Sequence, residues 1–215
     1  MRFARFALPL VFSILPLAAV ACDKTSDKPK ADIANPVAVS SVQKAGAHEQ
    51  LSLATGSKVE WIGAKVTKSH PGAFSGLNGN IDLVDADPEK STVTIDVDLS
   101  TVSTDDDKLV GHLKSKDFFD IATYPKANFT STSIKKQDGP NGANYAVTGN
   151  FDFHGVKKSI TFPAKITVSP DVVSAKAEFV INRKDFNIVY PGMADDLIKD
   201  DVTIKFDVSA PRKKT

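Results

Sequence analysis

The sequence predicts an all-β domain of about eight antiparallel strands and one short helix, which must either close into a barrel or pack as a sandwich. Three observations carry this. Apolar residues recur with period two from Leu51 onward, Val, Ile, Phe and Thr are enriched in those runs, and turn residues separate them. A single sheet with one apolar face could not bury it, and closure would also remove exposed edges.

Residues 1–21 read as a targeting segment. Arg2 and Arg5 supply a positive start, residues 6–20 an apolar run broken by Pro9 and Pro16, and Ala19-Val20-Ala21 small residues before Cys22. The run is too short and interrupted to favour a transmembrane helix. Small residues before a cysteine resemble the lipobox of bacterial lipoproteins, in which the thiol takes a diacylglyceryl group and cleavage leaves Cys22 first. The alternative is ordinary signal-peptide cleavage after Ala21, which would expose a free thiol to an oxidising compartment. Residues 22–50 read as anchor and linker, rich in Lys, Asp, Ala, Ser and Pro without an apolar period. Residues 23–50 would span about 30 Å as a coil and about 95 Å fully extended. The expected location is the periplasmic face of a bacterial membrane, reached by general export.

The barrel domain is expected over 51–210. Val59 and Trp61 alternate with Lys58 and Glu60; Leu77, Gly79, Ile81 and Leu83 with Asn78, Asn80 and Asp82; Val93, Ile95, Val97 and Leu99 with Thr94, Asp96 and Asp98. A short helix follows Thr104, the expected cap, with Asp105, Asp106 and Asp107 at its positive end and Leu109 and Leu113 facing inward. The alternation resumes over 127–134, 145–153, 160–168, 173–181 and 202–208. Ala86-Asp87-Pro88-Glu89, Asp138-Gly139-Pro140-Asn141-Gly142 and Ser169-Pro170-Asp171 read as hairpin turns. Residues 211–215 form a basic tail.

Of the 215 residues, 41% are apolar and 25% charged, with 27 Lys and Arg against 26 Asp and Glu. These values exclude a disordered chain, and a net charge of +1 gives no field for a phosphate backbone, so nucleic acid is not an expected partner. Cys22 is the single cysteine, which leaves no intramolecular disulfide and no cysteine-based zinc cluster.

Gly72 to Phe74 with Gly79, the run His112-Leu-x-Ser-x-Asp-Phe-Phe119 followed by Tyr124-Pro125, then His154-Gly-Val-x-Lys158 and Asn182-Arg-Lys-Asp-Phe186 resemble the YceI family of bacterial secreted proteins. The similarity runs from about Ser57 to Ala210. It implies a lipocalin-like, extended eight-stranded antiparallel barrel whose pore holds a polyisoprenoid chain, such as a prenyl quinone or prenyl phosphate. Two positions depart from the pattern: Lys65 stands where many members have His, and Asn187 replaces the usual Gly after Asp-Phe.

On this reading the candidate pore lining is Val59, Trp61, Phe74, Leu77, Ile81, Ile95, Val97, Leu109, Leu113, Phe119, Phe129, Val147, Phe151, Phe162, Ala164, Ile166, Phe179, Ile204 and Phe206. Gly63, Gly79, Gly149 and Ala164 on inward faces favour an open pore over a filled core. Phe118 and Phe119, adjacent after the helix, are expected to diverge, one plugging the barrel and one packing under the helix. Lys65, His112, His154 and Arg183 are head-group candidates, while Asp185 or Asp201 would neutralise Arg183 if its role is structural.

No nucleophile elbow, phosphate loop or metalloprotease helix is present in the sequence, so neither catalysis, cofactor nor metal is expected. His48 falls in the linker as a solvated residue. His70, His112 and His154 lie at element ends, where bonding to backbone carbonyls competes with a head-group contact or a joint metal site. Two other readings stay open: a periplasmic metal-dependent hydrolase using those three histidines, and a barrel filled by its own side chains that acts through its surface. Expected partners are an amphiphilic lipid and the membrane, with a homodimer kept open. Burying a prenyl chain gains little relative to the bilayer it leaves, so specificity must come from shape and polar contacts at the mouth.

Overall fold

The computed structural model describes residues 28–39 and 45–213; the apolar leader and Cys22 lie outside them. The strands are β1 (Asp32–Ala34), β2 (His48–Ser52), β3 (Lys58–Ala64), β4 (Ser69–Val84), β5 (Asp87–Thr104) and β6 (Lys126–Lys136). They continue as β7 (Tyr145–Phe153), β8 (Val156–Val168), β9 (Val172–Asn182), β10 (Gly192–Met193), β11 (Asp196–Leu197) and β12 (Asp201–Pro211). One α-helix, α1 (Asp107–Lys114), crosses between β5 and β6.

Eight strands form the barrel in the order β8-β7-β6-β5-β4-β3-β12-β9, and β8 pairs again with β9 to close it. The closing register runs from Lys165 opposite Lys176 to Val168 opposite Val173. Every barrel pairing is antiparallel, as short turns between consecutive strands require. Closure leaves one apolar face inside; β8 and β9 pair directly over only four residues, and nearer the mouth β1 and residues 29–31 cover the gap between them.

The barrel therefore has two ends. The hairpin end carries the β4–β5, β6–β7 and β8–β9 turns, where Ser169 N donates to Val172 O at 2.9 Å. The mouth carries the β3–β4 loop, α1, the His154-Gly155 turn and residues 183–200. At the β4–β5 turn, Asp85 and Ala86 both take positive φ, 52° and 53°, as a two-residue primed hairpin needs. That places the turn two residues earlier, over 84–87, than Ala86-Asp87-Pro88-Glu89 suggests, with Pro88 already in β5. The helix cap is likewise Asp106, not Thr104: its carboxylate accepts from Lys108 N and Leu109 N, while the Thr104 hydroxyl donates to Pro71 O.

The segment read as linker is built into the fold over much of its length. Val180 N donates to Pro29 O and Ala31 N to Val180 O, and β1 pairs with β8 from Asp32–Thr161 to Ala34–Ser159. β2 pairs with β4, continuing the line of β3, so His48 stands in a strand and not in a linker; it is exposed as expected, with its Nδ1 2.9 Å from Asp82 Oδ1. Arg212, assigned to a basic tail, is held by Glu49 at 2.9 Å and donates to Ser169 O.

Buried residues fall into two clusters. The main one fills the barrel; the smaller, of Leu51, Ile81, Leu83, Val173 and Ala210, closes the hairpin end.

Candidate functional site: an apolar cavity and its vestibule

Alternation turns one face of every barrel strand inward, and these side chains enclose a cavity of ≈ 230 Å³. The expected pore-lining residues all border it except Leu77, Ile81 and Leu109. Leu77 lies past the irregularity between Phe74 and Gly76 and packs on the main core. Ile81 lies beyond the end of β3, where Leu51 of β2 faces it. Leu109 packs on the main core and borders a second cavity.

Aromatic rings occupy much of the bore. Phe162 stacks on Phe179 with centroids 4.4 Å apart and planes 5° from parallel, and Phe206 meets Phe162 edge-on at 5.4 Å. Gly149 does not widen the pore as its size suggests, because the Phe129 ring lies where its Cβ would be. Gly79 similarly admits Leu53. Phe118 and Phe119, both buried and both at the wall of the cavity, diverge as expected: Phe118 packs on His112 of α1 and on Tyr190, while the Phe119 ring enters the barrel. Phe119 packs between Phe74 and Phe153.

At the mouth a second cavity of ≈ 320 Å³ is bordered by Lys65, His70, Asp106, His112, Tyr190, Met193 and Asp196, among others. It shares Trp61, Gly63, Ala64, Leu113, Phe118 and Ile198 with the inner cavity, so these residues form a neck between an apolar chamber and a polar vestibule. Trp61 faces inward as its alternation predicts and is 7% exposed. Its ring fits over Gly72, where any Cβ would overlap the indole. The indole N–H has no hydrogen-bond partner among the described residues, an uncommon state for a buried donor.

The polar side chains of the vestibule are organised in pairs. Lys65 forms an ion pair with Asp196. His70 Nδ1 lies 2.7 Å from Asp105 Oδ1, and that hydrogen bond, with Lys68 and Thr104 assisting, lowers the pKa of the Asp105 carboxyl to about 2. His112 Nε2 lies 2.9 Å from Asp117 Oδ2, its ring edge-on to Phe118 and Tyr190. Two of the three histidines thus bond carboxylates instead of backbone carbonyls. His154 alone meets a carbonyl, Phe186 O at 3.1 Å, and borders neither cavity, which removes it as a head-group candidate. The three do not converge, and among the described residues no group of three or more His, Cys, Asp or Glu is arranged to hold a metal ion.

Arg183 borders the inner cavity, yet its guanidinium is already committed. It donates to Lys199 O, Ile188 O and Ile198 O, and pairs with Asp200 at 3.1 Å, not with Asp185 or Asp201. It is 4% exposed and fastens residues 187–200 across the mouth. Asn187, at the position where the family more often has Gly, takes φ 59° at the end of a short 3-10 turn, a conformation Gly and Asn both tolerate. Its role is in the backbone. Sequence reasoning misses this whole loop, including Ile188, Tyr190 and Ile198; Pro191-Gly192 and Asp195-Asp196 are the available turn signals.

A closed antiparallel barrel with an apolar chamber behind one mouth has the architecture of the lipocalin-like barrels. Residues 46–210 match the YceI-like domain, and the chain belongs to that family. Protein YceI of Salmonella arizonae is 32% identical over 123 residues, 54% of this chain and 62% of that relative, so the chain spans less than two-thirds of the curated relatives it matches. Among solved structures, BcnA of Burkholderia cenocepacia superposes with a TM-score of 0.61 at 25% identity, covering 72% of this chain and 96% of BcnA. A polyisoprenoid binding domain from Saccharophagus degradans gives 0.61 at 18% identity over 78% of this chain and 100% of that domain.

Proposed function

We propose that the barrel binds an isoprenoid or similar amphiphilic lipid, such as a prenyl quinone or prenyl phosphate, for carriage or sequestration, without transforming it. The observation that carries this is the junction of an apolar chamber with a vestibule of paired polar side chains through the Trp61 neck. The chain occupies the chamber and the head group the vestibule, near Lys65, His70, His112 and Tyr190. The unpartnered indole N–H of Trp61 suits a carbonyl or phosphate oxygen arriving at the neck. Membership of the YceI-like family, and a shared fold with a domain described as polyisoprenoid binding, agree with it.

The inner cavity alone is smaller than the roughly 300–1,000 Å³ of ordinary ligand pockets, so a long chain must displace rings of the Phe162–Phe179–Phe206 group. The protein is exported and held at the periplasmic face of a membrane through acylated Cys22. In a salt-washed membrane fraction the Cys22→Ala protein should be absent and wild type retained, since two acyl chains anchor stably.

The function is tested by native mass spectrometry of protein isolated from its own host and by titrating delipidated protein with a prenyl quinone. Saturable, one-site quenching of Trp61 is expected. If no isoprenoid or fatty acyl ligand binds, the stacked phenylalanines are a filled core and the barrel acts through its surface. Turnover lost in a His70→Gln, His112→Gln, His154→Gln triple variant would instead favour catalysis.

A further inference from the structure

Most large apolar side chains left in solvent among the described residues stand at one end of the barrel. Val66, Val189, Met193 and Leu197 are 68%, 63%, 70% and 50% exposed, and all four lie in the loops around the mouth. Val66 N donates to Leu197 O at 3.0 Å, which sets those two residues side by side; Met193 belongs to the strand paired with Leu197's own and borders the vestibule. The hairpin end has no counterpart among the described residues. Its apolar residues Leu51, Leu83 and Val173 are buried.

Charge around the mouth is locally cancelled. Lys65 pairs with Asp196, Lys68 with Asp105 and Lys184 with Asp200, so the rim presents apolar tips on a neutral collar.

We propose that this rim docks into the interfacial layer of a lipid bilayer, with Val66, Val189 and Leu197 entering the headgroup–acyl boundary and the vestibule facing the membrane. The proposal rests on the lipid-binding reading: an apolar ligand would then pass from bilayer to chamber without crossing water. Lys28 is fixed to Glu178 at 3.1 Å, and Glu178 lies four residues before Asn182, the mouth-end terminus of β9. Lys30 bridges Val180 in the parallel sense, so the chain advances from Lys28 toward the mouth and enters from the hairpin side. Glu178 is about 13 Å from the mouth along the strand, and the six residues from Cys22 to Lys28 reach at most about 21 Å, so an anchor at Cys22 is long enough to turn back and leave the mouth on the surface.

Protein as isolated from its host, carrying Val66→Cys or Asp171→Cys labelled with an environment-sensitive dye, is mixed with phosphatidylcholine vesicles. Asp171 lies in the β8–β9 turn at the far end. A blue shift at 66 and none at 171 is expected, and it should persist at about 0.5 M salt because apolar insertion is not screened. Equal spectra at both positions, a shift at 171 alone, or loss of the shift in salt would each overturn the proposal. The Val66→Ser, Val189→Ser, Leu197→Ser protein should take up a prenyl quinone from those vesicles about fivefold more slowly, yet bind it normally in detergent solution. Unchanged uptake overturns docking alone. Absent binding of wild type in detergent overturns the lipid-binding reading.

Discussion

At the hairpin end of the barrel Leu51, Ile81, Leu83, Val173 and Ala210 pack together as a small apolar cluster, whereas the mouth is held by Arg183, Lys65 and His70 through ions and carbonyls. The two closures differ in kind. Apolar packing is non-directional and gains by excluding everything, so the hairpin end is a plug. The mouth is built from directional bonds whose partners are also partly open to solvent, which lets it remain a cavity of ≈ 320 Å³. Stability should therefore reside at one end and recognition at the other.

The largest effect should come from the plug. Leu83 is 2% exposed, and Leu83→Ala should cost about 3 kcal/mol of unfolding free energy by denaturant titration while leaving ligand affinity unchanged. A matching loss of affinity would break the separation of the two ends. Arg183→Met comes next, at about 2 kcal/mol, because Ile188 O, Ile198 O and Lys199 O lose a charged donor. Here hydrogen exchange should rise in residues 187–200 and remain low in β2, whose amides belong to the plug.

A smaller change isolates the neck. Trp61→Phe keeps a ring over Gly72 but removes the unpartnered donor, so affinity for a quinone should fall about tenfold, with no fall for an isoprenoid hydrocarbon lacking oxygen. The smallest effect concerns the rim. Asp105 titrates at about 2 in the folded protein, below its ordinary 3.8, chiefly through the His70 hydrogen bond. Its stabilising contribution is complete above that ordinary value and is lost as pH falls toward 2. His70→Asn should move the Asp105 titration back upward by carbon NMR and remove that part of the acid dependence, with no change at the plug.

How much of this is legible in the sequence differs between the same two ends. Period-two alternation locates all eight barrel strands and most of the cavity wall, because a barrel strand has one buried face and the pattern records it directly. Trp61, Phe162, Ala164 and Phe206 need nothing more. The mouth loop from Arg183 to Asp200 carries no period, and its place is set by hydrogen bonds from one guanidinium to carbonyls as far as Lys199, sixteen residues away, which leave no pattern. The same limit explains Asp200 as the partner of Arg183 and Asp105 as the partner of His70. β1 escapes notice because three residues are too short a run to show a period, although Ala31 and Ile33 pack on the barrel core.

That short strand alters how the protein is leashed. Its partners on β8 are Ser159, Ile160 and Thr161, far downstream in the chain, so β1 finds its place only after most of the barrel sequence has emerged and folded. Until then the chain from Cys22 to the start of β2 is slack, and on the proposed anchor it would let the domain explore a wide volume around the point of attachment. Once β1 is seated, the length between Cys22 and the barrel shrinks to the six residues before Lys28. Folding on that anchor acts as a winch: an unfinished barrel is held loosely, and a finished one is drawn in against its surface.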